Sequence, residues 1–254
     1  MGSEFKKLCR LAGETVAKYR LITAGDRIIA GLSGGKDSLV MMHVLKHLQQ
    51  HAPVEFSVTA ATFDPGFPGF GLESLRDYCR TQQWEHHVVK LNVAQVVEEK
   101  SFDSSPCVLC SRLRRGKLYG LANELGCNKL ALGQHLDDIL TSFMMSLCRG
   151  QGLTTMAPLA LPENPAHPAV IRVLAMVPEE LIIRCAAELE VPVTGRCIYY
   201  EKLRSGDRAY FAELLKTLTT RISDLRSNMA KSLSHVELEH LLLTPQAAEE
   251  EGEE

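Results

Sequence analysis

The chain has 254 residues, 45% hydrophobic and 23% charged, which is typical of a globular protein with one large domain or one domain and an appendage. Its longest apolar runs are well short of a membrane span, and no signal-peptide pattern is evident, so we expect a cytoplasmic protein without a membrane partner. The net charge of −3 is dominated by five glutamates in residues 249–254; removing them from the 31 acidic residues leaves 26 against 28 basic residues. The body is therefore slightly basic, which permits an RNA partner.

Hydrophobic periodicity predicts strands that alternate with helices along most of the chain. The predicted strands are 27–30, 54–63, 85–91, 128–133 and 170–174. The predicted helices are 6–20, 39–51, 72–82, 109–125, 136–148, one beginning near Pro178, 207–219 and 221–233. Residues 92–106 and 150–168 are predicted to be irregular. This order predicts an α/β fold, a parallel sheet flanked by helices with further helices at the C-terminus, and ligands at the C-terminal ends of the strands.

Residues 31–38 read Gly-Leu-Ser-Gly-Gly-Lys-Asp-Ser and lie between a predicted strand and a predicted helix. A glycine turn before a helix N-terminus presents backbone N–H groups and the helix dipole to a phosphate. The glycines allow close approach of the phosphate, and the lysine and serines can add a charge and hydroxyl donors. The candidate phosphate-binding residues are Ser33, Gly34, Gly35, Lys36, Asp37 and Ser38.

This loop is not a Walker A loop, because only three residues separate Gly31 from Gly35 and an aspartate follows the lysine. It resembles the Ser-Gly-Gly-x-Asp-Ser signature of the PP-loop ATP pyrophosphatases. That resemblance implies an enzyme that cleaves ATP between the α and β phosphates and holds the leaving pyrophosphate in the loop. It also implies the adenine nucleotide alpha hydrolase-like form of the α/β fold.

A second glycine-bearing strand end lies at residues 133–138, Gly-Gln-His-Leu-Asp-Asp. In a parallel sheet it is expected at the same edge as the first loop. Asp137 and Asp138 are candidate ligands for Mg²⁺ or for positioning a nucleotide, since hard cations prefer carboxylate oxygen. The alternative is that these aspartates cap the helix that begins there.

Cys107 and Cys110 form a C-x-x-C pair at a predicted helix start, where the helix dipole favours thiolates. On spacing alone a redox pair, a zinc site and an iron–sulfur cluster all remain open, and a later single cysteine, Cys197, suits the cluster best by number. The remaining cysteines in or beside predicted elements are interpreted as small apolar core residues: Cys79, Cys127, Cys148 and Cys185.

Several segments together resemble the tRNA 2-thiocytidine synthetase family. They are 107–119 (Cys-Val-Leu-Cys-Ser-Arg-Leu-Arg-Arg-Gly-Lys-Leu-Tyr), 131–139 (Ala-Leu-Gly-Gln-His-Leu-Asp-Asp-Ile), 170–174 (Val-Ile-Arg-Val-Leu) and 192–197, from Pro192 to Cys197. The resemblance covers about residues 6–235, nearly the whole chain.

That resemblance implies a [4Fe–4S] cluster held by Cys107, Cys110 and Cys197, with one open iron for the sulfur to be transferred. It implies that ATP, with Mg²⁺, adenylates the C2 oxygen of a cytidine in the tRNA anticodon loop, at position 32, before sulfur replaces that oxygen. The partners are then tRNA, a sulfur donor (a cysteine desulfurase or sulfide) and a second copy of the chain in a homodimer.

The resemblance also supplies roles for individual side chains. Asp37, Asp137 and Arg114 are the candidate catalytic residues, and Gly133, Asp138 and Phe63 join the phosphate loop as nucleotide-binding candidates. Phe63 belongs to a phenylalanine-rich loop, 63–70, that can either stack a base or pack against the nucleotide or the core.

Two departures from the family concern the substrate. The family usually reads Gly-His-His where this chain has glutamine at Gln134, and its polar segment after the last cysteine differs from residues 198–202 here. Alternatives therefore remain: sulfur transfer to another RNA base or a small molecule, or a non-catalytic nucleotide- or cluster-binding sensor. The predicted organisation is an N-terminal helix at 1–20, a PP-loop ATP-binding domain at 21–195, a cluster loop with helices at 196–240, and an acidic, disordered tail at 241–254.

Overall fold

The computed structural model describes residues 2–66, 69–90, 106–192 and 206–242, with the backbone alone described at 106–111. The described strands are β1 (Arg27–Leu32), β2 (Ser57–Asp64), β3 (His86–Lys90), β4 (Lys129–Ala131), β5 (Leu159–Ala160) and β6 (Ala169–Ile171). The described helices are α1 (Ser3–Lys18), α2 (Lys36–His51), α3 (Leu72–Thr81), α4 (Pro106–Glu124), α5 (Leu136–Cys148), α6 (Glu179–Glu188), α7 (Asp207–Arg221) and α8 (Leu225–Leu233), followed by a 3₁₀ turn at Leu238–His240.

The six described strands form one sheet in the order β3-β2-β1-β4-β6-β5. Five of them are parallel, so the predicted α/β fold with helices around a parallel sheet is confirmed. The sixth, β5, pairs antiparallel with β6, with Leu159 opposite Ile171. The prediction of a long irregular loop at 150–168 is therefore wrong at residues 159–160. A two-residue strand is too short to produce a periodic pattern in the sequence.

The order of the strands brings two strand ends together. β1 lies in the middle of the sheet between β2 and β4, in register from Ile28 opposite Lys129 to Ala30 opposite Ala131. The residues that follow β1 and β4 therefore leave the sheet side by side, at its C-terminal edge. This is the position predicted for both glycine-bearing loops.

The larger core lies on one face of the sheet, where α1, α2 and α6 pack together around fully buried side chains such as Leu8, Leu39 and Ile182. A smaller cluster under α4 covers the other face and includes Ile29 and Leu130. A third cluster joins α5 to the C-terminal helices α7 and α8. None of the described helices is both long and apolar enough to span a bilayer.

The predicted element boundaries agree with the structure within a few residues. The largest shift is in α8, which begins at Leu225 because Asp224 takes a left-handed conformation, with φ of 56°, that separates it from α7. The N-terminal helix contributes Phe5 and Leu8 to the same core as the sheet. The division into domains stays a prediction. Most of the segment predicted to be irregular (92–106), the predicted loop around Cys197 and the tail from residue 243 lie outside the described residues.

A buried carboxylate joins the beginnings of β1 and β4. Asp26 is 4% exposed, and its oxygens accept hydrogen bonds from Lys129 Nζ at 2.6 Å, Asn128 Nδ2 at 2.7 Å and the Thr23 N–H at 2.6 Å. Burial acts to raise the pKa of Asp26, but these donors outweigh it and the pKa is lowered. The ionised form is therefore part of the folded state.

Replacement of Asp26 by alanine should cost about 3 kcal/mol in the free energy of unfolding at pH 7, because it leaves the largely buried Lys129 ammonium without its partner. Urea unfolding measures this, with Asp77→Ala, which removes one partner of an exposed ion pair with Arg80, as the control that should cost below about 1 kcal/mol.

The same pair predicts a pH dependence. The contribution of Asp26 is complete above its unfolded pKa of about 3.9 and is lost as the pH falls through the lower pKa of the folded state. The difference between wild type and Asp26→Ala should therefore shrink below about pH 4. A cost at pH 7 no larger than that of the Asp77 control would contradict the assignment.

Candidate nucleotide-binding site

The loop between β1 and α2 is shaped by two serines. The Ser33 N–H donates to Ser38 Oγ at 3.1 Å, and Ser38 Oγ donates to the Gly35 carbonyl at 2.8 Å. The Gly35 N–H donates to Ser33 Oγ at 3.3 Å, and Gly34 has φ of 82°, which favours glycine. The first turn of α2 follows, and its N–H groups have no carbonyl partner within the helix. The loop therefore has the backbone form of a phosphate-binding site.

A cleft of about 240 Å³ opens beside this loop. Six of the residues predicted from the sequence line it: Ser33, Asp37, Ser38, Phe63, Arg114 and Gly133. Its apolar walls are Leu32, Ala61, Phe70, Leu118 and Leu132. The Arg114 guanidinium carbon lies 5.8 Å from the centre of the Phe63 ring, so a cation and an aromatic face occupy the same part of the cleft. Polar groups at one end and apolar walls at the other suit a nucleotide.

Gly133 has a steric role that the sequence did not reveal. A Cβ atom at this position would lie 3.0 Å from the Asp37 carbonyl carbon and 3.0 Å from the backbone N and Cα of Ser38. Since those neighbours are backbone atoms, they cannot swing aside as a side chain would. The absence of a side chain at residue 133 is what allows the end of β4 to touch the phosphate loop.

Three potential metal ligands meet next to the loop. One ligand atom from each of Asp37, His135 and Glu179 lies within 4.8 Å of the others. Within the described residues, His135 Nδ1 is buried without a hydrogen-bond partner, and Asp37 Oδ1 is buried 3.1 Å from the Lys36 ammonium. Two carboxylates and an imidazole can hold a divalent cation.

Lys36 is held by the same carboxylates. Its Nζ lies 2.7 Å from Glu179 Oε1 and 3.1 Å from Asp37 Oδ1. Burial acts to lower the pKa of Lys36, but the two carboxylates outweigh it and the pKa is raised. The lysine expected to face a phosphate thus forms ion pairs within the protein in this structure, and the charge it carries is fixed at the edge of the loop.

The two aspartates at the start of α5 have separate partners. Asp137 accepts from the Glu179 N–H at 2.8 Å and from Arg226 Nε at 2.6 Å, so it ties α5 to α6 and α8. Asp138 accepts from the His135 N–H at 3.3 Å, which is the capping contact that the sequence left open. A Mg²⁺ role for this pair stays a prediction, and the described geometry places Asp37, His135 and Glu179 together instead.

Sequence reasoning also missed Arg172, which is 9% exposed and lies just beyond β6. Its Nε donates to Gln134 Oε1 at 2.7 Å and its Nη1 to the Ala157 carbonyl at 2.6 Å. Gln134 in turn lines the cleft. The available signal was an arginine in the middle of an apolar strand, in the segment Val-Ile-Arg-Val-Leu at 170–174.

The cysteines divide into two groups. Burial raises the pKa of Cys9 and of Cys185 to about 12 and that of Cys79 to about 11, and it also raises the pKa of Cys127, so these four remain thiols. Core positions were predicted for Cys79, Cys127, Cys148 and Cys185. The prediction is confirmed for the first two and for Cys185, but it is wrong for Cys148, which is exposed at the end of α5. Residues 107 and 110 are one helical turn apart at the start of α4. Their side chains and Cys197 lie outside the described residues.

Comparison with known proteins places this site in a family. The model of the PP-loop domain matches residues 7–192. Proteins named tRNA-cytidine(32) 2-sulfurtransferase are similar over 94% of this chain: that of Geotalea uraniireducens is 37% identical, with 94% of its length covered, and that of Syntrophotalea carbinolica is 36% identical, with 92% covered. The chain belongs to this PP-loop family of sulfurtransferases. The resemblance found in the sequence is therefore confirmed, and the family is one of transferases.

Solved structures confirm the fold. The U34-tRNA thiolase NcsA from Methanococcus maripaludis with its [4Fe-4S] cluster superposes with a TM-score of 0.75, at 23% identity, over 95% of this chain and 84% of that one. The NH3-dependent NAD synthetase from Campylobacter jejuni, in complex with the nitrate ion, gives a TM-score of 0.50 at 15% identity, over 94% and 99% of the two chains.

Replacement of Gly133 by alanine should weaken the binding of a non-hydrolysable ATP analogue by roughly tenfold or more, because the new methyl group must displace the backbone of the phosphate loop. Isothermal titration calorimetry measures the affinity. Gly120→Ala is the matched control: it adds the same methyl group to α4, where no atom lies within 4 Å of the new carbon. Equal affinities of the two variants would contradict the assigned role of Gly133.

Proposed function

We propose that the chain is an ATP-dependent, iron–sulfur-dependent tRNA sulfurtransferase that converts cytidine 32 in the anticodon loop to 2-thiocytidine. The observation that carries this proposal is the 37% identity over 94% of both chains to a tRNA-cytidine(32) 2-sulfurtransferase. The geometry of the phosphate loop and its cleft supports it independently, since both suit a nucleotide whose phosphates lie at the N-terminus of α2.

The first step is activation of the base. The C2 oxygen of the cytidine attacks the α-phosphorus of ATP, the bond between the α-phosphorus and its bridging oxygen breaks, and pyrophosphate leaves. The N–H groups of the loop and of the first turn of α2 stabilise the charge that develops on the pyrophosphate. Arg114 lines the cleft, and we assign it a contact with either the nucleotide or the target base.

Asp37 and Glu179 would supply carboxylate oxygens to the Mg²⁺ that accompanies ATP, and His135 lies beside them. His135 Nδ1, which is buried without a hydrogen-bond partner among the described residues, fits an additional bound group here. When bound, Mg²⁺ would neutralise part of the negative charge of the phosphates. Lys36 exchanges its contact with Glu179 for a phosphate oxygen in the same step, which releases Glu179 for the cation.

The cluster assignment is supported by the donor chemistry of the other cysteines. Four of the five described cysteines are buried thiols with raised pKa values, so they do not offer thiolates. Four cysteines remain, the exposed Cys148 and the three that the family resemblance implies as ligands, Cys107, Cys110 and Cys197. When bound, a [4Fe–4S] cluster with one open iron supplies sulfur next to the activated carbon. Sulfur then displaces the adenylated oxygen, which leaves as AMP.

The remaining parts of the proposal come from the family alone. They are a sulfur donor that is either a cysteine desulfurase or sulfide, a homodimeric state, and a cytoplasmic location. The catalytic assignments of Asp37, Asp137 and Arg114 are likewise proposals, and in this structure Asp137 acts through its contacts with Glu179 and Arg226.

The direct test is thiolation of a defined RNA. Anaerobically reconstituted protein is incubated with ATP, Mg²⁺, sulfide and unmodified tRNA, and the digested nucleosides are analysed by mass spectrometry. We expect a 2-thiocytidine peak that requires both ATP and the cluster, and that disappears when cytidine 32 is replaced by uridine. A thiolated uridine, or a product that forms without ATP, would contradict the proposal.

Cys107→Ala should lose most of the iron after reconstitution and abolish sulfur transfer, because the change removes one of the three proposed cluster ligands. Cys148→Ala is the matched control, since Cys148 is exposed and is expected to hold no metal. Iron analysis and the absorbance of the cluster measure the outcome. Full iron content in Cys107→Ala would exclude Cys107 as a ligand.

A further inference from the structure

A second cavity, which we call the outer pocket, lies between α4 and the connection from β5 to β6. It has a volume of about 370 Å³, which is within the range of small-ligand sites. The residues that give it its chemistry are Arg115, Tyr119, Glu163, His167 and Arg172. Leu132 lines both the outer pocket and the nucleotide cleft, so the two cavities adjoin.

Two further contacts connect the cavities. Arg114 and Arg115 are successive residues of α4, and the helical rotation between them turns Arg114 to the nucleotide cleft and Arg115 to the outer pocket. On the sheet side, Arg172 in the outer pocket donates to Gln134 in the cleft at 2.7 Å. A ligand that fills both cavities would therefore cross only one layer of side chains.

The outer pocket is lined by two arginines and one glutamate, Glu163. Among the described residues, neither Arg115 nor Arg172 has a carboxylate oxygen within 4.0 Å, although Glu163 is present at the wall. The hydrogen bonds of Arg172 go to neutral oxygens, those of Gln134 and Ala157. Burial, and then the charge of Arg115, lower the pKa of Arg172. Two neighbouring guanidinium groups that form no ion pair with a described carboxylate suit a phosphate.

The same pocket presents an aromatic surface. The ring centroids of Tyr119 and His167 are 4.8 Å apart, with the planes inclined by 39°. His167 is exposed, and Tyr119 is half-buried against the core under α4. Unpaired bases in RNA loops stack on rings of this kind, while arginines contact the adjoining phosphate. A pocket with both features fits a nucleotide better than it fits an inorganic anion.

We propose that the outer pocket binds one unpaired nucleotide of the RNA substrate, a neighbour of the nucleotide whose base enters the cleft. Its phosphate lies at Arg115 and Arg172, and its base stacks on His167 and Tyr119. This inference rests on the proposed function, since it supposes that RNA is the substrate. It adds a substrate-positioning site on the β5–β6 side of α4, separate from the phosphate loop.

The test measures the affinity of the full-length protein for unmodified tRNA by fluorescence anisotropy at one fixed salt concentration. Arg115→Ala and His167→Ala should each raise the Kd by about tenfold, and both should leave the affinity for an ATP analogue unchanged. Arg80→Ala is the matched control, because it also removes one exposed arginine from a helix, and it should change the Kd by less than about twofold.

A second RNA separates base stacking from charge. Two tRNAs are made in which the nucleotide on one side or the other of the target cytidine is abasic. For one of these abasic RNAs, His167→Ala should bind with the same Kd as the wild-type protein, because the base that stacks on His167 is missing. Arg115→Ala should still bind that RNA more weakly than the wild-type protein does. Equal losses for His167→Ala on the intact RNA and on both abasic RNAs would overturn the stacking role.

The outcomes also separate this inference from the proposed function. If the wild-type protein thiolates tRNA and both variants bind it with wild-type affinity, the outer pocket is excluded as an RNA site while the function stands. If the wild-type protein binds no tRNA, both are overturned.

Discussion

The close contact between the ends of β1 and β4 determines how this protein builds its site. Gly133 touches the backbone of Asp37 and Ser38, and a single additional carbon would force that backbone to shift. The contact is possible because β1 and β4 are neighbours in a parallel sheet and end at the same edge. Two loops far apart in the sequence therefore contribute adjacent backbone and side-chain groups, and the N-termini of α2 and α5 meet beside one cleft.

From this contact a chain of polar interactions leads outward. Lys36 pairs with Asp37 and with Glu179 at the start of α6. The Glu179 N–H donates to Asp137, and Asp137 pairs with Arg226 on α8. The C-terminal helices are thus connected by buried or half-buried ion pairs to the phosphate loop. On the opposite side, Gln134 and Arg172 connect the cleft to the outer pocket. The nucleotide cleft is central to both networks, so a ligand there is positioned to influence the C-terminal helices and the outer pocket.

Local sequence was sufficient for most of the fold and for the loop. Alternating apolar strands and amphipathic helices predicted the parallel sheet, and the Gly-Gly turn before α2 predicted the phosphate site, because both depend on residues close together in the chain. The missing features depend on distant contacts. The two-residue β5 exists only through its pairing with β6, and Glu179 joins the site because α6 packs beside α2. Lys36 was expected to point at a ligand, but its carboxylate neighbours become visible only in three dimensions. The sequence shows the charge of Arg172 within a predicted apolar strand, but it does not show that Gln134 is its partner.

The central claim is that the loop of residues 33–38 holds the pyrophosphate that leaves when a base is adenylated. The most direct measurement follows ATP labelled on the α-phosphorus, incubated with reconstituted protein, sulfide and unmodified tRNA, and identifies the nucleotide product by chromatography. The account predicts AMP, with release of pyrophosphate in equal amount, and dependence of both on tRNA. ADP and inorganic phosphate would show cleavage at the other phosphoanhydride bond and would contradict it.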